Sequence, residues 1–150
     1  TGKPLIAVNS LEALVQVALE DFEAGILDLE SLEDAKLLPM IDARRMEVYC
    51  QLFDAQARPL SEVEAHVLTA ESFAAERAQG RLVLFGNGAA KSKMLFTEPG
   101  VHYVDVTPSA RGLVKPATEA LKIRKFENVA YFEPFYLKNF VATSSSKKFF

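Results

Sequence analysis

Two apolar stretches joined by a connection too short to cross over set the strongest limit on how this chain can fold. Residues Leu37 to Ile41 form an unbroken apolar run, the pattern of a strand buried on both faces. After a tight connection through Ala43 to Arg45, the residues Met46, Val48, Cys50 and Leu52 alternate with Glu47, Tyr49, Gln51 and Phe53. A period of two sends successive side chains to opposite faces of a strand. A parallel return needs roughly a dozen residues or more, whereas an antiparallel one needs only a tight turn. The two strands therefore form an antiparallel hairpin. Asp54 to Pro59 reads as a second turn, and Val63 to Leu68 as a third strand.

Upstream, Pro4 to Val8 is a short apolar lead-in. Asn9 and Glu12 have capping-box spacing, and Leu11, Leu14, Val15, Ala18 and Phe22 fall on one helical stripe. Gly25 is placed to stop that helix, and the acidic stretch Asp28 to Asp34 reads as a surface loop. Downstream the rhythm changes. Thr69 can cap a short helix ending at Gly80, Leu82 to Phe85 is a strand, Gly86 to Gly88 a turn and Ala89 to Leu95 a short helix. Val101 to Val106 is a further strand and Ser109 to Lys125 a helix. Pro116 lies within this last helix, which either starts late with the proline in its first turn or is kinked.

Bulk properties narrow the class. The chain has 150 residues, 49% hydrophobic and 25% charged, which fits one folded domain and not a disordered chain. Its single cysteine, Cys50, rules out an internal disulfide and fits a reducing, cytoplasmic setting. No apolar run approaches the roughly 20 residues of a membrane-spanning helix. The net charge of −3 hides an acidic start and a basic end, the latter carrying Arg124, Lys125, Lys138, Lys147 and Lys148. A basic, aromatic end raises contact with nucleic acid as a reading beside that of a solvated face.

Several segments have the residue types for chemistry. Asp42, Arg44, Arg45 and Glu47 cluster at the first hairpin, where carboxylates can hold a metal or act as a base and arginine can grip an anion. The plainer reading is that the carboxylates pair with the arginines and fix the turn. Gly86-Asn87-Gly88-Ala89-Ala90-Lys91 follows a strand, so its amides can face an anion. It lacks a Walker sequence or a full dinucleotide fingerprint, which leaves Gly86 and Gly88 as at most a vestigial phosphate turn. His66 and His102 have no metal-ligand spacing. Cys50 shares a face with Val48 and Leu52, which points to burial, and no serine sits in a nucleophile elbow. The sequence assembles no catalytic set. At the end, Glu133-Pro134-Phe135-Tyr136-Leu137-Lys138 joins a stiff proline to three large apolar side chains, fit to strap the domain or to meet a partner.

Four of these segments resemble a known family. Ile41-Asp42-Ala43-Arg44-Arg45-Met46-Glu47-Val48-Tyr49 is similar to the Ile-Asp-Ala-Arg hairpin and Glu-Val-Tyr of the TsaB (YeaZ) family, with Asp42, Arg44, Glu47 and Tyr49 at the motif positions. Gly86-Asn87-Gly88 falls at that family's Gly-x-Gly turn. Glu133, Pro134, Tyr136 and Lys138 resemble its closing Glu-Pro-x-Tyr-Leu-Arg motif, and Pro4 to Leu14 its segment between lobes. Two positions depart: a glycine of the family hairpin is replaced in the Arg45–Met46 region, and the closing arginine is Lys138, which cannot make a bidentate contact.

The resemblance implies an α/β fold of the ribonuclease H-like, actin-like ATPase class, in which three antiparallel strands precede αβαβα crossovers, as the order of elements also suggests. It divides the chain into a linking strand and helix (1–27), an actin-like carboxy-terminal lobe (36–130) and a strap with a tail (131–150). The family's amino-terminal lobe, with its Gly-Pro-Gly-Ser-Phe-Thr-Gly-Leu-Arg segment, is not in this sequence, which matches from just after it. The implied role is a scaffold without catalysis of its own and without a cofactor, although the family carries the label glycoprotease. Full-length members support the catalytic subunit TsaD and recruit the ATPase TsaE in making threonylcarbamoyladenosine on tRNA. A homodimer is a further expectation, and tRNA contact an indirect one. The competing readings are a nucleotide-binding or peptidase-like lobe and a direct tRNA-binding module.

Overall fold

The computed structural model describes residues 2–134. Helix α1, Ser10–Glu23, starts where Asn9 caps it: the side-chain oxygen accepts the Leu11 amide at 2.8 Å, satisfying a donor with no partner within the helix. It ends at Gly25, whose φ of +70° suits glycine and whose N–H donates to Phe22 at 3.0 Å. Leu11, Leu14, Val15 and Ala18 are buried as the stripe requires, with Phe22 only partly covered.

The strands are β1 (Lys36–Asp42), β2 (Glu47–Cys50), β3 (Phe53–Asp54), β4 (Glu64–Val67), β5 (Leu82–Phe85) and β6 (Val101–Tyr103). They form a six-stranded mixed sheet in the order β4-β2-β1-β5-β6, with β3 also on β1. β1 pairs antiparallel with β2 and β3, β2 antiparallel with β4, and β5 lies parallel to both β1 and β6. The hairpin, the third strand and the switch to parallel crossovers follow the expected order.

The strand read as one piece from Met46 to Phe53 is two pieces, and Pro39 is the reason. Ala43 N–H donates to Glu47 at 3.1 Å, so odd-numbered residues of β1 direct their amides toward β2. The register that pairs Met40 with Cys50 and Leu37 with Phe53 brings Pro39 opposite Gln51. Proline has no N–H to give there, so the ladder is interrupted between β2 and β3.

Both faces of β1 are covered. Leu37 joins Phe53, Val83 and Phe85 under α1, while Leu38 and Met40 join Val48, Cys50, Leu82, Leu84 and Phe96 on the other side. Period-two alternation in a strand buried on both faces accounts for the continuous apolar run. Helix α2, Ala74–Ala78, is shorter than expected. Thr69 does not cap it; the N-cap position is Phe73, at φ +56°. A 3-10 turn, Ala89–Ser92, replaces the expected helix to Leu95, and β6 stops at Tyr103 instead of Val106.

The last helix resolves the proline question. A 3-10 turn, Ala110–Leu113, leads into α3, Val114–Lys122, so Pro116 sits in the first turn, where the missing N–H costs little. None of α3 is buried; Pro116, Ala117 and Ala120 are half-covered, and although the spacing of Leu113, Ala117 and Leu121 predicts an inner stripe, Leu113 and Leu121 are exposed. Gly112 allows the preceding turn to lie on α1, since a Cβ there would stand 2.2 Å from the Ala13 carbonyl oxygen. Arg111 ties the same junction to Asp21 at 2.6 Å and Glu20 at 3.1 Å, which explains why Asp21 tolerates burial. No helix among the described residues is long and apolar enough to cross a membrane.

Candidate functional site

The carboxyl ends of β1 and β5 bring the hairpin motif and the glycine turn together. β1 ends in Asp42, whose amide donates to the Asn87 side-chain oxygen at 2.8 Å. Its carboxylate accepts the Lys91 ammonium and the Arg44 amide, the latter at 2.9 Å. The Lys91 hydrogen bond, then the Arg44 amide, hold the Asp42 carboxyl below its ordinary range. Lys91 also donates to the Glu47 carbonyl at 3.0 Å, bridging both strands of the hairpin.

At Asp42 this corrects the expected pairing. The cation on Asp42 is Lys91, 49 residues away in sequence, and not Arg44 or Arg45. Both arginines are exposed, with φ of +78° and +48°. Side-chain-bearing residues in that region carry strain of roughly 1–2 kcal/mol each, and the Asp42–Arg44 bond holds the first of them in place. Tyr49 pairs with Ile41 and Ala65 and lies on the α1 face of the sheet with Gln51. Gln51 in turn accepts from Asn9 at 2.8 Å, tying the helix cap to the sheet.

Gly86 and Gly88 are placed by close approach. At Gly86, φ is +98° and a Cβ would lie 2.3 Å from the Met40 carbonyl oxygen. At Gly88 it would lie 2.9 Å from Val48 and 3.0 Å from the Ile41 carbonyl carbon. The turn's amides face inward: Gly88 donates to Met40 at 3.0 Å, Ala89 to Gly86 at 3.2 Å and Lys91 to Gly88 at 3.3 Å. An anion would have to displace these bonds to be held by the same groups.

Cys50 is fully buried, and burial, then the Glu64 carboxylate, push its thiol up to about 12. Only the thiolate is nucleophilic. Iodoacetamide at pH 8 is therefore expected to label the folded chain about a thousandfold more slowly than the unfolded chain; equal rates would place the thiol at the surface. Because the folded value lies above the ordinary 9.0, the unfolded chain loses the proton first. Stability is thus untouched by this group below pH 9 and falls as pH rises from 9 toward 12, a trend that a Cys50→Ala variant loses.

Two arrangements were not legible beforehand. Arg77, 7% exposed, meets Glu98 at 2.6 Å and the Ala70 carbonyl at 2.5 Å and lies 4.4 Å from the centre of the Phe96 ring. His66 Nε2 is 2.8 Å from Ser72 Oγ, and His66 Nδ1 is 3.4 Å from Glu64. Ser72 is buried and its oxygen already accepts the Thr69 amide at 2.9 Å, so this chain of contacts clasps β4 to the turn before α2. Among the described residues, no three His, Cys, Asp or Glu side chains converge as metal ligands. Glu133 and Pro134 are exposed, while Tyr136 and Lys138 of the closing motif lie outside the described residues.

No family model matches this sequence, and no curated protein matches it either. Solved structures do match. One is a Pseudomonas aeruginosa protein described as uncharacterized with similarity to peptidase YeaZ, at 22% identity and a TM-score of 0.63, covering 91% of this chain. Another is YeaZ from Pseudomonas aeruginosa, at 20% identity and a TM-score of 0.60, covering 90%. This chain spans 60% of each of these proteins, and over that stretch it has the fold of YeaZ.

Proposed function

We propose that this chain is the carboxy-terminal, actin-like lobe of a TsaB-type cytoplasmic protein. It acts as a non-catalytic scaffold supporting a TsaD-type subunit, with a TsaE-type ATPase, in threonylcarbamoyladenosine synthesis on tRNA. The observation that carries this reading is the sheet. Three antiparallel strands pass through β1 into the parallel pair β5 and β6, an order that supports the ribonuclease H-like reading, and 90% of the chain aligns with YeaZ at a TM-score of 0.60. Fold alone does not assign activity. The hairpin and glycine-turn segments that resemble the TsaB family meet at one end of that sheet, held by Asp42, Asn87 and Lys91.

The commitments within the site support a scaffold over a catalyst. The Asp42 carboxylate is taken by Lys91, the Gly88 amide by Met40 of the sheet, the Ala89 and Lys91 amides by carbonyls of the turn itself, and the Cys50 thiol is buried and protonated. The nucleotide reading gains nothing from amides already bonded at home.

A pull-down with the TsaD-type subunit tests the division of labour. The full-length parent is expected to retain the subunit, and this chain alone at least tenfold less, as befits a supporting lobe. Equal retention by this chain would place the contact here. Titration calorimetry with ATP and Mg²⁺ tests the other half: micromolar affinity for this chain alone would overturn the non-catalytic assignment.

A further inference from the structure

We infer that the cleft between the lead-in, α1 and α3 is a binding site for a small zwitterion of the aliphatic α-amino acid class. Glu12 receives its ammonium group, Lys115 and Lys125 its carboxylate, and the Gln16 amide serves both. The cleft holds about 320 Å³, and its apolar walls include Val8, Ala57, Pro116 and Ile123. None of its lining residues belongs to the hairpin or the glycine turn, so the site is independent of the scaffold reading.

Gln16 carries the inference. Its side chain is 8% exposed, yet among the described residues no group is hydrogen-bonded to its amide. A buried amide without a partner costs stability, and this one opens into the cleft. An amide offers an oxygen to an ammonium and N–H groups to a carboxylate. A simple cation or anion would use only half of it.

One turn earlier on the same face of α1 stands Glu12. Its spacing from Asn9 predicts a capping box, but the Asn9 side chain alone closes the cap, on the Leu11 amide. Among the described residues the Glu12 carboxylate has neither a hydrogen bond nor an ion pair. Burial pushes its carboxyl up, and the charge of Lys125 offsets this only in part. A cation near enough to be felt and not near enough to pair leaves room for a ligand between the two.

The end of α3 turns Lys125 back toward α1. Its N–H donates to Ala120 at 2.8 Å and that of Arg124 to Leu121 at 3.1 Å, the bonds of a Schellman ending. Arg124 itself takes φ +55°, where glycine is usual. The Glu127 amide then donates to Leu5 at 2.8 Å, fastening the lead-in beside α3. Lys115, in the first turn of α3, is exposed and has no ion pair among the described residues. Glu119, the other acid on the cleft, is met by Lys122 at 3.3 Å, which moderates its repulsion of a carboxylate.

Magnetic resonance titration of the nitrogen-labelled chain tests this, with L-leucine, its amine-only analogue isoamylamine and its carboxylate-only analogue isocaproate as probes. Leucine is expected to shift the Glu12, Gln16 and Ile123 amides saturably at millimolar concentration, and each analogue to bind about tenfold more weakly. Glu12→Gln is expected to weaken leucine by about tenfold and isocaproate not at all. Lys125→Gln is expected to weaken leucine and not isoamylamine. Absence of a saturable shift with leucine overturns the inference. So does binding of isoamylamine or inorganic phosphate as tight as that of leucine, since either would mark a site for one charge alone. The comparison of probes on the unaltered chain decides even where a variant fails to fold.

Discussion

Gly86→Ala is expected to lower the melting temperature on the order of 10 °C, while Gly25→Ala lowers it by only a few degrees. Both glycines have positive φ, +98° and +70°, so both variants carry the strain of an L side chain in that region, about 1–2 kcal/mol. Only at Gly86 does the new methyl meet backbone, 2.3 Å from the Met40 carbonyl oxygen and 3.0 Å from Leu14 Cδ2; at Gly25 nothing lies within 4 Å. Relief at Gly86 requires the turn to lift from β1, stretching the Gly88–Met40 hydrogen bond and the Asn87–Asp42 contact. Overpacking of this kind adds roughly 1–3 kcal/mol, and for a domain of this size each kcal/mol shifts the melting point by about 2–4 °C. Differential scanning calorimetry of the two variants checks the difference. Equal shifts would mean that the turn does not dock on the end of β1.

The second large effect lies one residue earlier. Phe85 is completely buried under α1, in the cluster with Leu11, Leu14, Val15, Leu37 and Phe53. Phe85→Ala removes the ring from a site walled by helix and sheet, where little can collapse to fill it, and is expected to cost about 3–5 kcal/mol. Against a total stability of roughly 5–15 kcal/mol, that is a substantial share. Tyr131→Ala, at a position 83% exposed, is expected to stay within about 0.5 kcal/mol. Urea unfolding separates the two, and a Phe85→Ala loss below about 1 kcal/mol would contradict the packing of α1 on β5. Phe85 and Gly86 share the contact with α1, so their effects are not expected to add.

What sequence reveals and what it withholds divide along the range of the interactions. The α1 stripe, its Asn9 cap and Gly25 stop, the run of β1, all of β5 and the antiparallel return were legible because each depends on neighbours within a few residues. Pro39 was in plain view inside that run, yet its effect on Gln51 emerges only once the register is known. The Asp42–Lys91 pair joins groups on elements that only the parallel β1–β5 pairing brings together. For α3, the spacing of Leu113, Ala117 and Leu121 did not mark the side that meets the body, since Leu113 and Leu121 are exposed. The small residues Pro116, Ala117 and Ala120 take the inner side, because the close fit of Gly112 on Ala13 allows short side chains to reach α1. Of the candidate site, the glycine turn and hairpin were visible as separate motifs; their meeting through Asn87 and Lys91 was not.

The short outer strands carry a consequence for self-assembly. Among the described residues, the sheet is open at β4, four residues long, and at β6, only three. An uncapped margin is a template on which another chain can stack into a fibril, and brevity is one of the ways proteins deny it a foothold. Here β4 also bears Glu64 and is clasped through His66 to Ser72, so a chain with so apolar a centre leaves its neighbours in solution little backbone on which to polymerise.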